Sequence, residues 1–311
     1  MLVCSFRFLV CTVALFFVCG GAQSVVLPGE YSPADARRSL QYANATYADV
    51  DDIASWRCGS SCEANPLFKV TAVLRSEGDS DDLAYVGVDD SNAQVVVSLR
   101  GSSARPEWLM VWRLDPVLYD ATSGCGSDCQ VHASFQTSYF GLRRAVRAAV
   151  VSDLKMNPGY DILVTGHSFG AALAQLAAVD LQTHVNRVCF VSKPVVSLYT
   201  FGMPLVGNRG FAEWAAGMLS RGAHFRIRSG HDPVPQMFLG GNEDFQHVPH
   251  EVYCADDDPE NCRVCEDSVG KEDPECIAGS SKENMQDHYS YFGRTFVNGE
   301  GGDVIVYMQP L

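Results

Sequence analysis

The sequence predicts an α/β fold with a central, mostly parallel sheet and helices on both faces, and three observations point there. Short β-branched apolar runs alternate along the chain with segments of helical length. Strands alternating with helices in this way point to a largely parallel sheet covered on both faces. Between Ile162 and Leu181 a strand, a glycine-flanked serine and a helix follow one another without a break. With 311 residues, 47% of them hydrophobic, the chain can bury one large core, so a single domain over residues 23–311 is the starting expectation.

Taken in order, Met1 to Ala22 carries one charge, Arg7, then the apolar run Phe8 to Val18 and the small residues Gly20, Gly21 and Ala22. This is the pattern of a cleaved signal peptide, too short for a comfortable membrane span. Pro33 to Tyr47 has the composition of a short helix, and Asn44-Ala45-Thr46 within it is a glycosylation sequon expected to be exposed. Leu83 to Val88 and Gln94 to Leu99 read as neighbouring strands around the turn Asp89-Asp90-Ser91-Asn92. From Phe135 to Leu154 apolar residues recur at helical spacing, and Asn157-Pro158-Gly159 ends the pattern. Ile162 to Val164 is a buried strand and Ala171 to Leu181 an Ala/Leu-rich helix. Strands at Val195 to Thr200 and His224 to Ile227 flank a helix near Phe211 to Leu219, and a last strand falls near Val248 to Tyr253.

The formal net charge is −14, and loss of Arg7 with the signal makes the mature chain more acidic still. Such a surface repels a phosphate backbone and excludes nucleic acid as a partner. Of twelve cysteines, Cys4, Cys11 and Cys19 leave with the signal, and nine enter an oxidising compartment where disulfides are expected. Proximity pairs Cys58 with Cys62, Cys125 with Cys129, Cys254 with Cys262 and Cys265 with Cys276. Cys189, in the apolar stretch V-C-F-V, is left as a buried thiol. Zinc at the Cys262 to Cys265 spacing is the rival reading, which secretion disfavours.

The chemistry centres on Gly166-His167-Ser168-Phe169-Gly170. A strand, a G-x-S-x-G turn and a helix form a nucleophile elbow, in which the glycines permit the sharp turn and Ser168 Oγ stands above the strand's end. A serine hydroxyl is a weak nucleophile at neutral pH and needs a base, itself oriented by an acid. On such scaffolds these follow in the order Ser, then Asp or Glu, then His. Asp232 lies in a turn just past a strand, and His247, His250 and His288 all lie beyond it. His132 precedes the serine, and His167 is its neighbour on a tight turn and should point away; both read as packing or hydrogen-bonding residues.

At this point the chain resembles the class 3 family of lipases, the fungal-type triacylglycerol lipases and their feruloyl esterase relatives. Besides G-H-S-F-G-A-A-L-A at Gly166 to Ala174, it carries S-L-R-G-S at Ser98 to Ser102, V-H-A-S-F at Val131 to Phe135 and Y-T-F-G-M-P-L-V-G-N at Tyr199 to Asn208. F-R-I-R-S-G-H-D-P-V-P follows at Phe225 to Pro235, and D-H-Y-S-Y-F-G at Asp287 to Gly293. The motifs stand in family order over most of the chain. The resemblance implies an α/β-hydrolase fold with the triad Ser168, Asp232 and His288, and leaves His247 a structural role. It implies oxyanion donors at the Phe169 backbone N–H and at Ser102, and it adds some support for the Cys265 to Cys276 bridge.

It further implies a lid, a short helix over the site in residues 103–115. There Trp108, Leu109, Met110, Val111 and Trp112 form an apolar run that is either packed core or a face that docks on a lipid surface. The function expected is that of a secreted, extracellular serine esterase cleaving acylglycerols at an oil-water or membrane surface through an acyl-enzyme, with no metal, cofactor or stable protein partner. Two rivals remain: a feruloyl or other small-ester hydrolase, suggested by the Cys125 to Cys129 loop, and a secreted binding or effector protein without activity.

Overall fold

The structure is a computed structural model that describes residues 29–76, 82–102, 116–188, 193–237, 244–277 and 283–296. The expected signal segment, the expected lid residues Trp108, Leu109, Met110 and Trp112, and Cys189 lie outside the described residues.

Eight strands form the central sheet: β1 (Lys69–Arg75), β2 (Leu83–Asp89), β3 (Gln94–Leu99), β4 (Asp161–His167), β5 (Val196–Phe201), β6 (His224–Ser229), β7 (Glu251–Cys254) and β8 (Arg263–Val264), in that spatial order. β1 and β2 pair antiparallel with their successors, β3 to β7 run parallel, and β8 returns antiparallel. Strands β2 to β6 are almost entirely buried, so the continuous apolar runs are two-faced core strands.

Four longer helices cover the sheet: α1 (Pro33–Ala45), α2 (Ala133–Met156), α3 (Phe169–Arg187) and α4 (Arg209–Leu219). α1 begins on a Ser32 N-cap whose hydroxyl accepts the Asp35 N–H, with Pro33 entering at its first turn. α3 is buried on nearly every side. Its alanines let it lie close between the sheet and α2, and a helix apolar all round can exist only in such a position. Asp180 of α3 accepts the Tyr139 hydroxyl at 2.7 Å and pairs with Arg147, tying the two helices together. The core divides into two apolar clusters, one under α2, α3 and α4 and the other under α1 and the 291–296 segment.

β1 and a second, small sheet were not expected from the sequence. The small sheet joins strands at 245–246, 207–208, 130–132 and 116–118. It is pinned by Asn208, which caps α4 and bonds Gln130 N–H and the Asp128 carbonyl. Disulfides join Cys58–Cys62, Cys125–Cys129, Cys254–Cys262 and Cys265–Cys276. With their thiols bonded to each other, these cysteines offer no thiolate to a metal.

Asn44 departs from the exposed position expected of it. It lies on α1 with its amide donating to the Thr295 carbonyl and accepting from Ser61, while Thr46 is fully buried. A glycan there would replace one of the two hydrogens on Nδ2, the atom that donates to the Thr295 carbonyl.

Candidate active site

Strand β4 ends in His167 and α3 begins at Phe169, which leaves Ser168 alone to make the turn. It does so at φ 58° and ψ −126°, a left-handed backbone strained for a residue with a side chain. Ser168 N–H donates to the Phe201 carbonyl of β5 at 2.9 Å, and flanking strands on both sides fix the base of the turn. The two motif glycines are required by close packing. A Cβ at Gly166 would overlap the Gly170 carbonyl, and one at Gly170 would overlap the Leu99 carbonyl and lie 2.7 Å from Gly101 N.

Ser168 Oγ lies 2.9 Å from His288 Nε2, and His288 Nδ1 lies 2.9 and 3.1 Å from the two Asp232 oxygens. All three residues are buried. The carboxylate fixes the imidazole with Nδ1–H toward itself, so Nε2 is left to accept the serine proton. Asp232 also accepts the Tyr291 hydroxyl at 2.5 Å and the Val234 N–H at 2.8 Å. Burial and the neighbouring Asp232 push the Tyr291 phenol well above its ordinary range, so it remains a donor. Gly202, at φ 58°, leaves room for the pair, because a Cβ there would come within 2.8 Å of both Asp232 Oδ2 and His288 Nδ1.

Phe169 stands at the first position of α3, where backbone N–H groups point out of the helix N-terminus. Ser102 lies three residues past the Leu99–Gly166 register pair, in the loop that packs against Gly170. The two expected oxyanion donors are therefore on neighbouring segments at the elbow.

The other histidines make contacts of their own. His247 Nε2 donates to the Pro235 carbonyl at 2.6 Å, and His132 packs its ring on Phe135. His167 does more than fill space, since its Nε2 lies 2.7 Å from the main-chain oxygen of His288. Two further positions carry a role that the sequence did not assign. Tyr291 sits inside the D-H-Y-S-Y-F motif, where its place relative to His288 was the available signal. Asp287 accepts His231 N–H at 2.7 Å and the Asn284 amide at 2.6 Å, joining the turn of Asp232 to the helical turn of His288.

Comparison with known proteins agrees with this geometry. Residues 96–241 match the family Lipase (class 3). The chain is 31% identical to a lipase of Rhizomucor miehei over 81% of its own length and 66% of the relative's, just under two thirds. It is 30% identical to the secreted mono- and diacylglycerol lipase A of Penicillium cyclopium, over 76% of this chain and 77% of the relative. Among solved structures it superposes with a TM-score of 0.73 on a triacylglycerol lipase whose catalytic centre is a serine protease triad, at 27% identity, covering 86% of this chain and 96% of that one.

Proposed function

The chain belongs to the class 3 lipase family, and from that premise we propose that Ser168, Asp232 and His288 are the catalytic triad of a secreted lipase acting on acylglycerols. The serine hydrolase activity and the acylglycerol ester substrate follow from the family and its relatives, which favour this reading over a feruloyl esterase or an inactive binding protein. The single observation that carries the residue assignment is the buried, unbroken line from Ser168 Oγ through both ring nitrogens of His288 to Asp232.

In this reading His288 Nε2 takes the Ser168 proton as Oγ attacks the ester carbonyl carbon, and the carbonyl oxygen becomes an oxyanion facing the Phe169 N–H and Ser102. Collapse breaks the bond to the alcohol, which leaves with the proton from His288, and the acyl group stays on Ser168. A water then gives its proton to His288 and attacks the acyl carbon, releasing the fatty acid and restoring the serine. Every proton moves through His288, between Ser168, the leaving alcohol and the attacking water. The reading also includes a signal peptide over residues 1–22, one domain over residues 23–311 and extracellular action, in keeping with relatives named as secreted. A lid over residues 103–115, with Trp108, Leu109, Met110 and Trp112 toward the lipid surface, belongs to the same proposal and lies outside the described residues.

Turnover of p-nitrophenyl butyrate and of emulsified diacylglycerol by wild type and by Ser168→Ala, Asp232→Ala and His288→Ala tests it. Each variant loses about 10⁴-fold or more in kcat while keeping its fold, and the losses do not add. Activity that survives His288→Ala but not His247→Ala overturns the base assignment. If the lid assignment holds, Trp108→Ser with Trp112→Ser depresses the emulsion rate more than the soluble-ester rate.

A further inference from the structure

His167, beside the nucleophile, is held by two hydrogen bonds and a stacked ring. Tyr47 Oη lies 2.8 Å from its Nδ1, and the His288 carbonyl oxygen lies 2.7 Å from its Nε2. Phe296 stacks on the imidazole at 3.8 Å between centroids and 6° between planes. Tyr47 is drawn 120 residues along the chain to this point from just past the end of α1. Its hydroxyl also packs against Gly101, occupying the space where a Gly101 Cβ would stand.

The donor directions have one consistent solution. The His288 carbonyl can only accept, so His167 Nε2 carries the proton and Nδ1 is the acceptor. Tyr47 must then donate to Nδ1. The opposite tautomer would set a lone pair against a carbonyl oxygen in a buried site, a costly arrangement. Burial, with His288 adjacent, also holds the His167 imidazole well below its usual range. It is thus a neutral neighbour, 4.7 Å ring to ring, beside a base that must become cationic in the reaction.

We propose that Tyr47 and His167 are positioning residues: Tyr47, packed on Gly101, donates to His167, which donates to the His288 carbonyl, and this chain ties the oxyanion loop at Ser102 to the backbone of the catalytic base. The assignment rests on the triad reading above. Ser168 is fixed by strand and helix, whereas Ser102 and His288 sit on separate loops that this chain joins through the elbow itself. Its work is to keep the oxyanion donor and the proton acceptor in register around one serine, where a misplacement of about 1 Å can cost about 100-fold in rate.

The test takes Tyr47→Phe, His167→Gln, His167→Leu and Ser168→Ala on a soluble p-nitrophenyl ester, with ¹⁵N-histidine NMR of the intact protein. Tyr47→Phe should lower kcat by about 10- to 100-fold with KM within about twofold, as expected for lost positioning and not lost binding. His167→Gln, which keeps a donor for the His288 carbonyl, should retain several times the kcat of His167→Leu. The His167 ring in wild type should show a proton on Nε2 and none on Nδ1. A wild-type kcat in Tyr47→Phe, equal losses in the Gln and Leu variants, or a proton on Nδ1 each overturns the proposal. If His167→Leu does not fold, Tyr47→Phe and the tautomer decide. An active Ser168→Ala means that the triad reading itself has failed. An inactive Ser168→Ala beside a fully active Tyr47→Phe means that only the positioning chain has.

Discussion

Ser168 and His288 arrive within 2.9 Å of each other by opposite means. The serine sits on a seam between regular elements, with β4 paired on both edges and α3 packed behind it. The histidine ends a four-residue helical turn, Met285–His288, held chiefly by long-range hydrogen bonds. Asn284 N–H donates to the His231 carbonyl at 3.0 Å, Asp287 binds His231 N–H, and His167 binds the His288 carbonyl. Rigidity on the nucleophile's side comes from packing that the whole fold shares. On the base's side it comes from a few polar contacts that can be removed one at a time.

The largest effect that tests this contrast is Gly170→Ala. Its Cβ would overlap the Leu99 carbonyl and come within 2.6 Å of the Arg100 carbonyl carbon, so the oxyanion loop and the elbow cannot both stay in place. Such overpacking lowers stability by about 1–3 kcal/mol, and kcat falls by about 100-fold or more because Ser168 and Ser102 both move. Chemical denaturation and ester turnover measure the two losses together.

Asp287→Ala gives the next effect and acts on the other region. It frees His231 N–H and the Asn284 amide, which can turn to water, since Asp287 is partly exposed. Stability should change by less than about 1 kcal/mol while kcat falls about tenfold, because the turn carrying His288 loosens without disturbing the sheet. If Asp287→Ala lowers the denaturation midpoint as far as Gly170→Ala does, the two regions are held by the same means.

The same contrast explains what the sequence could reveal. The elbow is written locally: Ile162 to Val164 and Ala171 to Leu181 announce a strand and a helix that prove to be Asp161–His167 and Phe169–Arg187. Asp232 and His288 were found by chain order and motif, since no local pattern says that two loops 56 residues apart meet. The small sheet escaped because its strands are two or three residues long, too short for any period to register. β1 escaped for another reason: K-V-T-A-V-L-R is an edge strand, half-exposed, with no clean alternation. His167 was read as a packing or hydrogen-bonding residue, but a neighbour on a tight turn gives no sign that it binds the main-chain oxygen of His288. That depends on Tyr47, whose partner is visible only once α1 lies against the sheet.

The smallest expected effect concerns charge, and it again divides the molecule. The half that carries Asp232 holds a buried ionic group in which Arg226 pairs with Glu251 and Asp267, and Arg228 with Glu251. Two buried histidines accompany it, His224 and His247. Burial, then the charge of Arg226, then His250, lower His224 from its usual value near 6.5 to about 3. His247 is lowered in the same way by burial and by Arg226. A histidine depressed in the fold stays neutral there while the unfolded chain takes up a proton, so between about pH 6.5 and 3 the unfolded state binds more protons. Stability from this source is complete above pH 6.5 and is lost as the pH falls toward 3, at up to about 1.4 kcal/mol per pH unit for each such histidine. His224→Gln, which cannot titrate, should therefore flatten the fall of the denaturation midpoint between pH 6 and 4, with little change at pH 8 beyond a constant offset. The same slope in both proteins would mean that His224 is already protonated in the fold at pH 5, and the acid sensitivity of this half would have to come from its carboxylates instead.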